Sequence, residues 1–147
     1  MPAFDTHSRE QLRRSYAEAW QRHLSGVPLT PLQTLIADVI GVHPEYHAVV
    51  RDAAAAVQFE PAAESAAENP FLHMGLHIAV REQVSIDRPP GIRALHSQLQ
   101  RRYGDLHRAE HHLMEALGQT LWQAQRDGRA PDESQYLALA RAPLGKG

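Results

Sequence analysis

The chain contains no cysteine. That absence excludes a disulfide framework, thiolate zinc sites, cysteine-held iron–sulfur clusters and cysteine nucleophiles. It has no excess of one charge sign either: 15 basic residues face 17 acidic ones, for a formal net charge of −2. A near-neutral chain lacks the electrostatic footprint of a nucleic-acid binder. The richest basic cluster, Gln100-Arg101-Arg102, is too short to change that. No apolar run approaches the ~20 residues of a membrane span. The first ten residues, MPAFDTHSRE, carry early acids and no apolar segment, unlike a secretory signal. The expected compartment is therefore the cytoplasm, with neither nucleic acid nor membrane as a partner. Glycine-rich phosphate loops, dinucleotide fingerprints and G-x-S-x-G elbows are also missing.

What the chain has in excess is histidine. Ten of its 147 residues are His, roughly three times the ordinary share. The length fits one domain with a real core, expected over residues 1–142, with 143–147 as a disordered tail.

No segment alternates apolar and polar residues in the manner of a strand. Helix punctuation recurs instead. Ser8-Arg9-Glu10-Gln11 has the form of a capping box, followed by Leu12, Tyr16, Ala19, Trp20 and His23 at helical spacing, with Gly26 as the stop. Thr30-Pro31-Leu32-Gln33 repeats the signal with Pro in the first helical position, and predicts a helix through about Val42. Pro44 breaks or restarts it, and a helix to about Asp52 is expected to carry His47 and Val50. Residues 53–68, rich in Ala with Glu60-Pro61, read as a long crossover connection that admits a short helical turn. Asn69-Pro70 opens a helix to about Ile86 that is apolar on nearly its whole circumference, which marks a central helix. The turn Asp87-Arg88-Pro89-Pro90-Gly91 follows, then helices over about 92–103, 106–127 and 132–141, with Gly104 and Gly128 as stops. The expected fold is all-α: a helical bundle of three or four long helices with short accessory helices.

The histidines are spatially organised on this scheme. His43/His47, His73/His77 and His107/His111 are each four residues apart, the spacing that stacks side chains on one helix face. Random placement of ten His predicts about 0.7 such pairs. His73 and His77 lie on the central helix. His107 and His111 continue to Glu115 along one stripe beside the apolar face of Met114, Leu117 and Leu121, with Glu110 close to that face too. A carboxylate beside a core face is costly unless paired or metal-bound. Tandem His with Glu on facing helices is how bundles build metal sites. A neutral imidazole gives one nitrogen lone pair to a metal while its other nitrogen donates a hydrogen bond.

The candidate ligands are therefore His43, His47, His73, His77, His107, His111 and Glu115, with Glu110 as the competing carboxylate. Six His exceed the needs of one tetrahedral ion, so the site is mono- or dinuclear. Nitrogen and oxygen donors without sulfur suit a transition metal, iron or zinc foremost. An open coordination position would serve oxygen binding, redox chemistry or hydrolysis by metal-activated water. His107-Arg108-Ala109-Glu110-His111 also matches the short H-x-x-E-H signature, on a chain smaller than the usual protease architecture. The bland reading of the same residues is a metal-free interaction or regulatory module, as a monomer or homodimer, with a polar histidine core.

Pro28-Leu29-Thr30-Pro31, HPEYH at 43–47, NPFLHMGLH at 69–77, REQVSIDRPPGI at 81–92 and DLHRAEHHLMEALGQTLWQAQRDG at 105–128 carry a resemblance. The chain resembles a family of short bacterial proteins of unknown function. The resemblance implies a bacterial origin and a compact helical domain. In architecture, multi-His helical bundles are also similar to hemerythrin-type and DinB-type proteins.

Overall fold

The computed structural model describes residues 6–60 and 69–145. Over these the protein is all-α, with seven α-helices, two single 3₁₀ turns and no strand: α1 (Thr6–Leu24), α2 (Pro31–Gly41), α3 (Ala53–Gln58), α4 (Pro70–Ile86), α5 (Ile92–Tyr103), α6 (Leu106–Asp127) and α7 (Glu133–Arg141). No described helix is long and apolar enough to cross a membrane. The chain divides into two compact units, Met1–Gly75 and Leu76–Gly147, with the boundary inside α4.

Local signals explain most helix ends. The Thr30 hydroxyl accepts from the Gln33 amide, and the Gln33 side chain accepts from the Thr30 amide, completing a reciprocal capping box ahead of Pro31. Asp105 and Asp132 cap α6 and α7 by accepting from the His107 and Ser134 amides. Gly104 and Gly128 close α5 and α6 with φ of +68° and +64°, a left-handed conformation that a Cβ disfavours.

Two expectations meet a different outcome. Ser8 lies inside α1, which begins at Thr6, two residues before the expected start. The helix expected over 44–52 is a single 3₁₀ turn, Pro44–Tyr46, followed by non-helical turns. No side chain caps that turn, and Asp52 must be extended (φ −154°, ψ 170°) to accept from Ala55 and start α3. A 3₁₀ turn, Ala142–Leu144, follows α7, and its Pro143 carbonyl accepts from Arg102; residues 146–147 of the expected tail lie outside the described residues. The crossover expected over 53–68 contains α3, and its remainder over 61–68 also lies outside them.

In the first unit α1 packs on α2 and α3. Tyr16, Ala17, Ala19 and Trp20 of α1 are buried, as are Ile36, Ala37, Val39 and Ile40 of α2. These are three- and four-residue steps, the stripe of an amphipathic helix. Arg13 closes the exposed end of α3, donating to the Phe59 carbonyl at 2.8 Å.

In the second unit α5, α6 and α7 pack on one another. Ile92, Leu95 and Leu99 of α5 meet a core that includes Leu113, Met114 and Leu117 of α6 and Tyr136 and Ala140 of α7. The unit's portion of α4 adds Leu76, Ile78 and Val80, and Leu76 lies against Gly118. Most residues of α4 over 71–80 are buried or half-buried, while Leu72 and Ile86 are exposed. His77 is among the buried ones.

Candidate metal centre

His77, His107 and His111 each present a ring nitrogen within 4.8 Å of the other two. His77 comes from α4 and is fully buried, at 0% exposure; His107 and His111 come from one face of α6 and are half-buried. Their ring centroids are 4.0 Å apart for His107–His111 and 5.6 Å for His77 to each of the others. The four-residue step brings the α6 pair together, since successive turns stack side chains. Three nitrogens bound at about 2.1 Å in a tetrahedral arrangement stand about 3.4 Å apart. Small side-chain rotations therefore complete a three-nitrogen cradle.

A carboxylate stands beside it. Glu110, one residue before His111, is 5% exposed, and its Oε1 lies 3.8 Å from His77 Nδ1. Arg81, one turn beyond His77 on α4, holds that carboxylate with two bonds: Nε to Oε2 at 3.0 Å and Nη2 to Oε1 at 3.3 Å. The fork geometry fixes the plane of the carboxylate as well as its position. His96 of α5 is the next titratable group near this carboxylate. Burial pushes its imidazole below the usual value of 6.5, while the Glu110 charge opposes the shift. Its buried Nε2 has no hydrogen-bond partner among the described residues.

The first unit holds a second nitrogen-donor set. The His43 and His73 Nε2 atoms are 3.1 Å apart. His43 Nδ1 lies 2.8 Å from the Val39 carbonyl, which can only accept, so Nδ1 carries the proton. His43 Nε2 is then the acceptor and His73 Nε2–H the donor. The His43 ring stacks on Tyr46 and meets His73 edge-on. Burial, reinforced by the charge of Glu45, pushes the Tyr46 phenol up.

The remaining sequence candidates lie elsewhere. His47 Nε2 donates to the Ile40 carbonyl at 3.0 Å, and its ring packs on Trp20. Glu115 is exposed to solvent. The structure thus brings His77, His107 and His111 together and joins His43 to His73, while His47 and Glu115 enter neither group. Sequence reasoning did not single out Arg81 or His96 for the site. Arg81 had a usable signal, its four-residue step from His77; His96 is isolated in the sequence and had none. His112, next to His111, turns the other way and donates from Nε2 to the last carbonyls of α7, at 3.1 Å to Ala140. Tyr136 also stands apart, donating to Gln83 at 2.6 Å, with its phenol pushed up by burial.

Compared with known proteins, the chain matches no curated protein and no solved structure. One family model does match, over residues 8–142, a span that contains every histidine discussed above. The chain belongs to the family described as a domain of unknown function (DUF1841).

Proposed function

We propose that this protein binds a transition-metal ion, zinc or iron, on His77, His107 and His111. The observation that carries this reading is the three ring nitrogens within 4.8 Å of one another, drawn from two helices, one of them fully buried. Three imidazoles are a donor set that zinc centres use, and the absence of sulfur also suits iron. A bound ion there would polarise a ligand or activate a water molecule. His43 and His73 are a second donor set, and they make a dinuclear protein the fuller form of the same proposal.

The test is the metal content of the untagged protein, measured by plasma mass spectrometry. About one ion per chain is expected from the three-histidine cradle, and about two if the His43–His73 pair holds its own. His111→Ala should lose at least one of them. Metal far below one per chain after growth and dialysis with zinc or iron, or a content unchanged in His111→Ala, would overturn the proposal.

His96 favours a second reading, a metal-free regulatory module with a pH-responsive histidine core. Its neutral form is favoured in the folded state, so the unfolded chain binds the extra proton first. Stability should hold above pH 6.5 and fall as pH drops from there through the depressed folded value. Urea midpoints of metal-free protein at about pH 7.5 and 5.5 measure this. The midpoint should fall in acid, and His96→Gln should remove part of that fall. An identical pH slope in His96→Gln would exclude His96 as its source.

A further inference from the structure

We propose that Glu110, clamped by Arg81, is a positioning residue that selects which nitrogen of His77 takes the metal. The inference rests on the three-histidine centre proposed above and adds the group that orients it. The carboxylate lies toward Nδ1 of His77, at 3.8 Å. A short rotation of the imidazole lets Nδ1–H donate to Oε1. The proton is then fixed on Nδ1, and Nε2 is left with its lone pair for the ion. Of the two neutral tautomers of His77, the one protonated on Nδ1 leaves Nε2 its lone pair. The carboxylate also offsets part of the positive charge that a metal brings, and raises the donor strength of the ring it bonds.

The geometry separates this role from that of a ligand. Both carboxylate oxygens of Glu110 are engaged by Arg81, Oε2 at 3.0 Å and Oε1 at 3.3 Å. A carboxylate pinned in this way can still accept from His77 Nδ1, because each oxygen has more than one acceptor direction. Direct ligation would draw carboxylate charge away from the guanidinium, whose side chain is three-quarters covered, and so weaken that pair. Arg81 therefore acts through Glu110, and Glu110 through His77. The sequence order repeats this logic: Arg81 is one turn from His77 on α4, and Glu110 sits between His107 and His111 on α6, so two helices supply both the nitrogens and the groups that orient them.

Cobalt(II) is the probe, because its visible bands report the ligand set while titration gives the affinity. Wild-type protein, Glu110→Gln and Arg81→Gln are compared, with circular dichroism of each metal-free protein as the check on folding. Arg81→Gln perturbs the same chain of contacts from the other helix, so whichever variant passes the folding check carries the test by itself. Both variants are expected to bind cobalt about 10- to 100-fold more weakly with band positions unchanged, since the coordinating atoms stay the same. A long-range proton–nitrogen spectrum of the zinc-loaded wild type should show His77 protonated on Nδ1. A band shift in Glu110→Gln would make Glu110 a ligand and overturn the positioning role. Unchanged affinity in the folded variants, or zinc on Nδ1 of His77, would overturn it too. Failure of the wild type itself to bind cobalt would instead remove the metal centre on which the inference rests.

Discussion

Zinc should raise the melting temperature of the metal-free protein by about 8–16 °C when present at about a thousand times its dissociation constant. The size follows from mass action. A ligand at that excess which binds only the folded state stabilises it by about 4 kcal/mol, and a domain of this length moves roughly 2–4 °C for each kcal/mol. Binding to the folded state is favoured because His77 and His107 are thirty residues apart in sequence and meet only when α4 and α6 are packed. The unfolded chain keeps only the local His107–His111 pair, a much weaker donor set. His107→Ala is the control of choice. His107 is half-buried near the start of α6, where the capping bond uses its backbone amide, so truncating its side chain leaves the cap intact. That variant should melt close to the wild type without zinc and lose most of the shift with it. A wild-type shift below about 1 °C at saturating zinc, or a full shift in His107→Ala, would contradict the three-histidine cradle.

The sequence showed the helices well where the punctuation was chemical. Thr30-Pro31, Asn69-Pro70, Asp105 and the glycines at 104 and 128 mark ends through caps and backbone freedom, which are local and legible. It failed at 44–52, where the decision is tertiary. His43 and His47 bond back to the Val39 and Ile40 carbonyls at the end of α2, and those bonds hold a turn that local propensity reads as a helix. The site follows the same division. A four-residue spacing has meaning only on a helix. It placed His107 with His111 correctly, and it had no force for His43 and His47, which straddle a break.

Glu115 and Glu110 show the cost of reading spacing without direction. At 100° per residue, His107, His111 and Glu115 advance by about 40° at each step. Leu113, Met114 and Leu117 put the buried side of α6 on the other side of His107. Two steps of drift carry Glu115 away from that side into solvent. Glu110 lies about 60° from His107 in the opposite sense, toward the core. The hydrophobic positions of α6 thus identify Glu110 as the inward carboxylate. Its pairing with Arg81 joins separate helices across 29 residues, and no local pattern encodes it.

That pairing sets the second large effect. In metal-free protein Arg81→Met should cost about 3 kcal/mol, the lower end of the range for stranding one partner of a buried ion pair. The melting temperature should fall by roughly 6–12 °C. The lower end applies because the Arg81 side chain is 24% exposed, so solvent already screens part of the interaction. The reverse change should be milder. Glu110→Leu leaves the guanidinium with access to water, whereas Arg81→Met leaves a carboxylate only 7% exposed. A loss of about 1 kcal/mol is expected for Glu110→Leu, and the double variant should lie near it, since apolar side chains of similar size can replace an ion pair without net loss. The coupling energy from the four melting curves should therefore be large, with the double variant more stable than Arg81→Met alone. Additive losses would mean that the pair contributes nothing jointly, and that Glu110 is kept in the core by something other than Arg81. The expected asymmetry has a functional consequence. An ion pair that an apolar pair could replace at little cost to the fold is not explained by stability, and its place beside His77 fits the positioning role proposed for Glu110.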